Sequence, residues 1–355
     1  MNFSNFTPFP SISWDNVDCN NDWHVTTLSR IRYKILKNDT TNKYDLVLHT
    51  DQGELTAKDT YYDKAGKSSI RYESDYVPYK KYTDIVINAN GYANGKESVN
   101  FRCSVKVFDN NNLKIIDYPL RIKSEKKYEQ IGLIWIGKER QKELSVPIIY
   151  EKSFGGDILK KKKNEEDEDK YIYTNVYNPV GCGVKKLKNV KKIINSVQIF
   201  YEYEKLKDVP AGYGFIDKSW ESRLKYAGTY DDAWLKNQHP LPPFDFDEYF
   251  NQAAHPKLIL KDYIKYGYKI ELKNLKKDTP LFSIEIPYNN LVSCIQSNIT
   301  KKYTKMNIDT VLIDINSEDE NEHSVYLSYR TQNKKFFDIK ESQVMILEDN
   351  IKGTV

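Results

Sequence analysis

The chain has 355 residues, of which 39% are hydrophobic, so it is long enough to bury a sizeable core in one or two domains. Its 54 basic and 50 acidic residues leave a net charge of only +4. This balance argues against nucleic-acid binding, which usually requires basic residues gathered on one face. The 28 tyrosines each combine a large apolar ring with a polar tip, which suits half-buried strands and protein interfaces.

Residues 1–148 have the pattern of strands separated by turns. In 99–107, apolar side chains occupy every second position, which is the period of a half-buried strand. The polar residues 109–112 predict a turn, and 113–123 predicts the returning strand of a hairpin. Three further segments have strand character: 44–50, 83–89 and 130–137. Their spacing predicts an antiparallel sandwich or barrel.

Residues 149–256 break this rhythm. They mix glycines, prolines and aromatic residues, which indicates irregular but packed chain, because disordered segments are poor in aromatic residues. Within them, 159–170 holds a block of lysines followed by a block of acidic residues, and we predict a mobile, solvated insert there. Two short helices are predicted over 231–237 and 247–254, the second with Asp245 or Asp247 near its N-cap.

Residues 257–355 return to the strand pattern. Apolar residues alternate in 268–272 and again in 282–286. A second hairpin is predicted from 310–316 and 324–330, on either side of the acidic turn 318–322. The expected fold class is therefore mainly β (a β-rich α+β protein). It would have antiparallel, β-sandwich-like N- and C-terminal regions joined by the irregular middle segment with its short helices.

Sequence motifs for catalysis, metal binding or membrane insertion are missing. The segment 65–68 resembles the end of a phosphate-binding loop, but Tyr61 occupies the position that requires glycine. The four cysteines and five histidines are dispersed, without zinc-type spacing. No signal peptide and no apolar run of about 20 residues is present. We therefore expect a cytoplasmic protein with no catalytic residues, no metal, no cofactor and no membrane insertion.

The middle segment also supplies the candidate site residues, which combine aromatic rings with charge: Trp220, Arg223, Tyr230, Asp231, Trp234, Asp245 and Asp247. Aspartate pairs beside aromatic rings can serve glycoside hydrolysis. Aspartate is also a leading helix-cap and turn residue, and we favour that interpretation. A third interpretation pairs Arg223 with a carboxylate such as Asp231, so that the pair pins an irregular loop. The same residues could form a partner-binding surface or act as structural keystones.

An ordered set of short phrases in the chain matches a known family. In the middle segment the phrases are 150–157 (YEKSFGGD), 178–183 (NPVGCG), 210–215 (PAGYGF), 220–223 (WESR), 227–231 (AGTYD), 241–247 (LPPFDFD) and 250–251 (FN). Outside it they are 7–9, 74–80, 83–88, 91–93 and 309–314. The set resembles the bacterial domain-of-unknown-function family 2169, found beside type VI secretion spike genes, and covers about residues 7–330. Departures from the pattern occur at 252–256 and in the charged insert.

The resemblance implies a non-enzymatic, cytoplasmic adaptor or chaperone. Such a protein would bind a toxic effector and help load it onto the type VI secretion spike, contacting the spike tip protein and its sharpening cap. Two alternatives from other classes remain open. One is a glycan-directed hydrolase that uses aspartates of the middle segment, and the other is a structural component that leaves the cell with the spike.

Overall fold

The computed structural model describes residues 1–38, 43–131, 134–137, 142–161, 170–182, 184–186, 192–195, 198–202, 209–336 and 339–347. Within these ranges the chain forms many strands and few, short helices, so the fold is mainly β, as predicted. No helix in this part of the chain is long and apolar enough to cross a membrane.

The strands up to residue 148 are β1 (Asn2–Asn5), β2 (Ser11–Val17), β3 (Trp23–Asn38), β4 (Lys43–Leu48), β5 (Thr60–Tyr61), β6 (Ile70–Tyr72), β7 (Asp84–Asn88), β8 (Asn90–Tyr92), β9 (Asn100–Phe108), β10 (Lys114–Lys123), β11 (Lys126–Ile131), β12 (Ile134–Gly137) and β13 (Ser145–Pro147). The middle segment holds β14 (Asp157–Lys161), β15 (Lys170–Thr174), β16 (Val184–Lys186), β17 (Lys192–Asn195) and β18 (Ile199–Tyr201). The remaining strands are β19 (Lys269–Lys276), β20 (Thr279–Glu285), β21 (Leu291–Gln296), β22 (Lys301–Lys305), β23 (Asn307–Asp314), β24 (Ser324–Lys334) and β25 (Glu341–Ile346).

The α-helices are α1 (Glu221–Leu224) and α2 (Asp232–Asn237). Single 3-10 turns occur at Tyr150–Lys152, Glu248–Asn251, Pro256–Leu258 and Glu320–Glu322.

Two large sheets contain strands from both ends of the chain. The six-stranded sheet has the order β2-β3-β24-β23-β7, with β4 also paired to β3. The five-stranded sheet has the order β18-β10-β9-β19-β20. In the first sheet β3 lies beside β24, and in the second β9 lies beside β19. The N- and C-terminal regions predicted from the sequence therefore contribute strands to the same sheets.

One hydrophobic cluster contains side chains of both sheets. Ile31 and Val325 come from the six-stranded sheet, and Val105 and Leu272 come from the five-stranded sheet. All four side chains are fully buried. In β9, β19 and β24 the alternation of apolar and polar residues is the pattern that predicted the strands, because successive side chains of a strand point to opposite faces. Strand β3, which holds Ile31, was not predicted.

Smaller sheets complete the described structure. Two four-stranded sheets have the orders β1-β25-β21-β22 and β12-β11-β17-β16, and the two-stranded pairs are β8–β13, β14–β15 and β5–β6. The hairpin β14–β15 carries the two ends of the predicted charged insert, and residues 162–169 lie outside the described residues. The single strand predicted over 130–137 was wrong, because the structure has two paired strands there, β11 and β12.

The second predicted helix, 247–254, is also wrong in extent. Asp247 caps a single 3-10 turn that ends at Asn251. The chain then becomes extended because its polar groups bind outside the helix. The backbone N–H of Ala253 and the side-chain amide of Gln252 both donate to the Asp84 carboxylate, each at 2.8 Å.

Candidate functional site

Trp220 and Arg223 lie in the interior, at the start of the middle segment's helical part. The Trp220 ring contacts the Tyr150 ring edge-on, with 5.3 Å between the ring centroids. The two rings and Ile216 form a small buried cluster of their own. Helix α1 begins directly after Trp220, which places Arg223 on the first turn, also buried.

The Arg223 guanidinium pins the middle segment to the N-terminal region. Its Nη1 donates to Glu73 Oε1 at 2.6 Å and to the Ile216 carbonyl at 2.8 Å, and its Nε donates to the Phe250 carbonyl at 3.0 Å. The predicted kind of contact, an Arg–carboxylate pair in an irregular segment, is therefore present. Its carboxylate partner, however, is Glu73 and not Asp231.

Glu73 also lies close to a second buried cation, Lys80. The Lys80 Nζ lies 3.6 Å from Glu73 and 2.7 Å from Asp84, and it donates to Thr310 Oγ1 at 3.2 Å. Burial disfavours the ammonium, but the neighbouring carboxylates of Asp84 and Glu73 outweigh it and raise the pKa of Lys80. Lys80 therefore stays charged in the folded protein.

Two further ion pairs adjoin this group. Arg330 donates through Nε to the buried carboxylate of Asp309, and its Nη1 donates to the Asp75 carbonyl at 3.1 Å. Arg30 pairs with the Asp75 carboxylate at 2.6 Å. Burial raises the pKa of Asp75 despite the nearby guanidiniums of Arg30 and Arg330. We call the whole set the charge cluster; its four cations and four carboxylates are Arg30, Lys80, Arg223 and Arg330 with Glu73, Asp75, Asp84 and Asp309.

The charge cluster was not predicted from the sequence, although some of its members lie in the phrases that carry the family resemblance. Asp75 and Lys80 belong to the phrase 74–80, Asp84 to 83–88, Arg223 to 220–223 and Asp309 to 309–314. A second signal was available in the strands themselves. Charged residues inside strands with otherwise apolar or small neighbours are unusual, because an unpaired buried charge is costly.

The remaining predicted site residues lie in a loop at the surface. Asp231 is the N-cap of α2, and its carboxylate accepts the backbone N–H of Trp234 at 2.8 Å. The Trp234 ring contacts the rings of Tyr230 and His239, with centroid distances of 4.7 Å and 5.3 Å. Its indole N–H donates to the Leu241 carbonyl at 2.9 Å. The structure thus brings Tyr230, Asp231 and Trp234 together.

Asp245 and Asp247 fix the other end of this loop. The Asp245 carboxylate accepts the backbone N–H of Thr229 at 2.9 Å and its hydroxyl at 2.7 Å, and these bonds hold the pKa of Asp245 below its usual value. The Asp247 carboxylate accepts the backbone N–H of Tyr249 at 2.9 Å. Both aspartates accept hydrogen bonds from the backbone. Asp247 is the cap that was predicted, whereas Asp245 binds Thr229, 16 residues earlier in the chain.

A third tie joins the loop to the N-terminal region. The side-chain amide of Gln238 donates to the Cys19 carbonyl at 2.7 Å and to the Pro242 carbonyl at 3.0 Å. Gly228 supports the loop at its base with φ +82°, a conformation that L side chains rarely adopt. These contacts leave little freedom to the backbone between residues 228 and 247.

This tied loop nevertheless exposes apolar side chains. Tyr230 is 58% exposed, Leu235 is 59% exposed and Phe244 is 72% exposed. We call residues 228–247 the aromatic loop. A single exposed apolar residue is ordinary, but three on one anchored loop form a feature typical of a contact surface.

No group of three or more His, Cys, Asp or Glu side chains in the described ranges has the arrangement of a metal site. The candidate residues thus divide into two sets. Trp220 and Arg223 lie in the interior, where Arg223 belongs to the charge cluster, and the other five shape the aromatic loop.

Comparison with known proteins identifies the family but no characterised relative. No curated protein and no solved structure is detectably similar to the chain. The model of one family, described as an uncharacterized protein conserved in bacteria, matches residues 22–330. The chain therefore belongs to this domain-of-unknown-function family, DUF2169.

Proposed function

We propose that this protein is a non-enzymatic adaptor or chaperone of the bacterial cytoplasm. In this proposal it binds a toxic effector and helps load it onto the type VI secretion spike, where it contacts the spike tip protein and its sharpening cap. The link to secretion rests on the resemblance of the sequence phrases. The observation that supports protein binding is the anchored aromatic loop.

The aromatic loop has the physical properties of a binding surface. Tyr and Trp are the residue types, together with Arg, that concentrate energy in protein interfaces. Burying exposed apolar area contributes about 25 cal/mol per Å². Because its backbone is already tied by Asp231, Asp245 and Gln238, the loop would lose little conformational freedom on binding.

The hydrogen bonds that the three aspartates accept favour protein binding over glycan hydrolysis. A retaining or inverting glycosidase needs two carboxyl groups that face a common substrate. Here Asp231, Asp245 and Asp247 each accept a hydrogen bond from a nearby backbone N–H. The two caps, Asp231 and Asp247, and the bond of Asp245 to Thr229 stabilise the loop itself, which is what a segment that presents a fixed shape requires.

Capture from the native host tests the proposal. The tagged protein would be purified under mild conditions and its partners identified by mass spectrometry. We expect a toxin together with a spike tip or cap protein. A double variant, Leu235→Ser with Phe244→Ser, should fold normally and lose the toxin.

The matched control replaces equally exposed apolar residues elsewhere. Leu281 is 55% exposed and Ile299 is 96% exposed, both outside the aromatic loop. The variant Leu281→Ser with Ile299→Ser should retain all partners. Recovery of the wild-type protein alone, or equal recovery of the toxin with both double variants, would contradict the proposal.

A further inference from the structure

A cavity of about 250 Å³ lies against one face of the six-stranded sheet, beside the charge cluster. Its floor includes side chains from three adjacent strands. Arg30 of β3 is the direct neighbour of Ser328 of β24, and Ser328 is the direct neighbour of Thr310 of β23. Arg330 follows two residues after Ser328 and therefore belongs to the same face of β24.

The cover of the cavity comes mainly from the chain between β4 and β7. The lining residues from this stretch are Thr56, Tyr72, Glu73, Ser74, Asp75 and Lys80. Phe215 of the middle segment also lines the cavity, together with Leu312 and Tyr326 of the sheet. The walls of the cavity thus carry aromatic rings and an aliphatic side chain, and its floor carries cationic and hydroxyl-bearing side chains.

Two hydrogen-bond donors at the cavity, one on Arg30 and one on Ser328, have no hydrogen-bond partner among the described residues. The Nε of Arg30 is buried and has no partner. Arg330 uses Nε for the Asp309 carboxylate and Nη1 for the carbonyls of Asp75 and Val77, so its Nη2 takes part in none of these bonds. The hydroxyl of Ser328 likewise has no side-chain or backbone partner in the described ranges, although Ser328 is buried and lines the cavity.

The carboxylates that line the cavity are, by contrast, already occupied. Asp75 Oδ2 accepts from Arg30 and from the backbone N–H of Thr56, at 2.6 Å and 2.7 Å. Glu73 accepts from Arg223 at 2.6 Å. The cavity therefore offers unused donors beside carboxylates that are already paired. Since an unsatisfied buried donor costs about 1–3 kcal/mol, a ligand acceptor that reaches Arg30 Nε would remove that penalty.

The charge of the cavity lining favours a small anion. Three cations (Arg30, Lys80 and Arg330) and two carboxylates (Glu73 and Asp75) line the cavity, so its lining carries a formal net charge of +1 that a monoanion would neutralise. Guanidinium groups bind carboxylates with particular geometric fit. At about 250 Å³ the cavity is small for a ligand pocket, and it has room for the part of a ligand that is about the size of one amino-acid residue.

We propose that this cavity binds the carboxylate of a small acid that carries an apolar or aromatic body. The carboxylate accepts hydrogen bonds from Arg330, Arg30 and Ser328, and the body packs against the rings and aliphatic side chain of the walls. Two sources share this chemistry: a free organic acid and the C-terminal residue of a polypeptide. The inference is independent of the proposed adaptor function, since it concerns other residues.

Calorimetric titration with defined acids tests the site. The probes are acetate, N-acetyl-leucine and N-acetyl-phenylalanine. The two N-acetyl amino acids are each compared with the corresponding C-terminal amide. We expect saturable binding of at least one N-acetyl amino acid, at least ten-fold weaker binding of its amide, and weak binding of acetate. Failure of all three acids to bind at millimolar concentration, or equal binding of acid and amide, would overturn the proposal.

Variants at Ser328 locate the binding. Ser328→Leu fills the cavity and should abolish binding, and the matched control Ser283→Leu, on an exposed position of β20, should bind like wild type. If Ser328→Leu does not fold, Ser328→Ala removes only the hydroxyl and should weaken binding about five-fold. Wild-type affinity in the Ser328→Ala protein, or in a folded Ser328→Leu protein, would refute the assignment.

Peptide probes separate the two sources. A pentapeptide that ends in phenylalanine is compared with its C-terminally amidated form. Binding of the free-carboxylate peptide at least as tight as that of N-acetyl-phenylalanine identifies a polypeptide C-terminus as the ligand. Binding of the N-acetyl amino acid alone identifies a free acid.

Discussion

Lowering the pH from 7.5 to 5 is expected to destabilise this protein through one histidine, His255. Its imidazole ring is fully buried and stacks on the Tyr118 ring, with 4.6 Å between centroids. Nδ1 accepts the backbone N–H of Lys257 at 3.1 Å, which places the proton of the neutral ring on Nε2. Nε2 then donates to the hydroxyl of Tyr201 at 3.0 Å.

Burial, with a smaller contribution from the charge of Lys257, lowers the pKa of His255 from 6.5 to about 3. Between these two values the unfolded chain binds a proton that the folded protein does not bind. The free energy of unfolding therefore falls as the pH drops below 6.5, and this loss is complete below pH 3. The linkage relation gives a loss of about 2 kcal/mol at pH 5 and about 5 kcal/mol in total.

The free energy of unfolding at pH 5 is a sharp test. Any pKa of His255 below about 4 in the folded protein gives the same loss of about 2 kcal/mol. Urea unfolding at pH 7.5 and pH 5 would be compared for the wild type and His255→Gln. Other titrating groups are common to both proteins and cancel in the comparison. The wild type should lose about 2 kcal/mol more than the variant. His49→Gln, at a partly exposed site, is the control and should follow the wild type. Equal pH dependence of the wild type and His255→Gln would refute the reasoning.

Three further predictions concern the charge cluster and the aromatic loop. Arg223→Ala leaves the buried Glu73 carboxylate without its closest cation and should lower the free energy of unfolding by about 3–5 kcal/mol, measured by urea unfolding. Asp231→Ala removes the cap of α2 and should cost about 1 kcal/mol in the same assay. Gly228→Ala places a Cβ 2.9 Å from the Cβ of Pro243 in a left-handed conformation, so it should distort the aromatic loop and shift the Trp fluorescence.

Each of these predictions has a matched control in the chain. Arg121 bonds Asn100 at an exposed site, so Arg121→Ala should change stability by less than about 1 kcal/mol. Asp232→Ala removes a neighbouring carboxylate that is not the cap. Gly95 has φ +73° with nothing within 4 Å, so Gly95→Ala introduces the backbone strain without the clash. A wild-type Trp spectrum for Gly228→Ala would contradict the third of these predictions. Equal loss of stability in Arg223→Ala and Arg121→Ala, or in Asp231→Ala and Asp232→Ala, would contradict the other two.

The local pattern predicted several of the strands because the period of two reports which face of a strand is buried, but it did not predict the 16-residue strand β3. Strand β9 follows the alternation of 99–107, and the predicted strand 324–330 lies within β24, where Val325 and Leu327 are buried. The pairing of β3 with β24 could not be predicted in this way. This pairing joins residues about three hundred positions apart, and the alternation within one strand does not indicate which other strand will pair with it.

The same reasoning explains which site residues were found. Asp231 and Asp247 were recognisable as caps because a cap is a local interaction between a side chain and the next turn of backbone. The partner of Arg223 was not recognisable, because Glu73 precedes it by 150 residues. Every ion pair of the charge cluster either joins residues far apart in the sequence or is buried only because of such long-range contacts.

A buried charge cluster is not explained by stability alone, since replacing buried ion pairs with well-packed apolar residues is often neutral or stabilising. Its geometry indicates what else it does. Arg223 joins Glu73 of the N-terminal region to the Phe250 carbonyl, which lies three residues beyond the end of the aromatic loop. Arg330 and Lys80 connect the same group to β24 and β23. Because charge-assisted bonds require defined directions, the cluster sets the orientation of the middle segment on the sheet. Loss of the Arg223–Glu73 pair should therefore impair partner binding by the aromatic loop even where the protein remains folded.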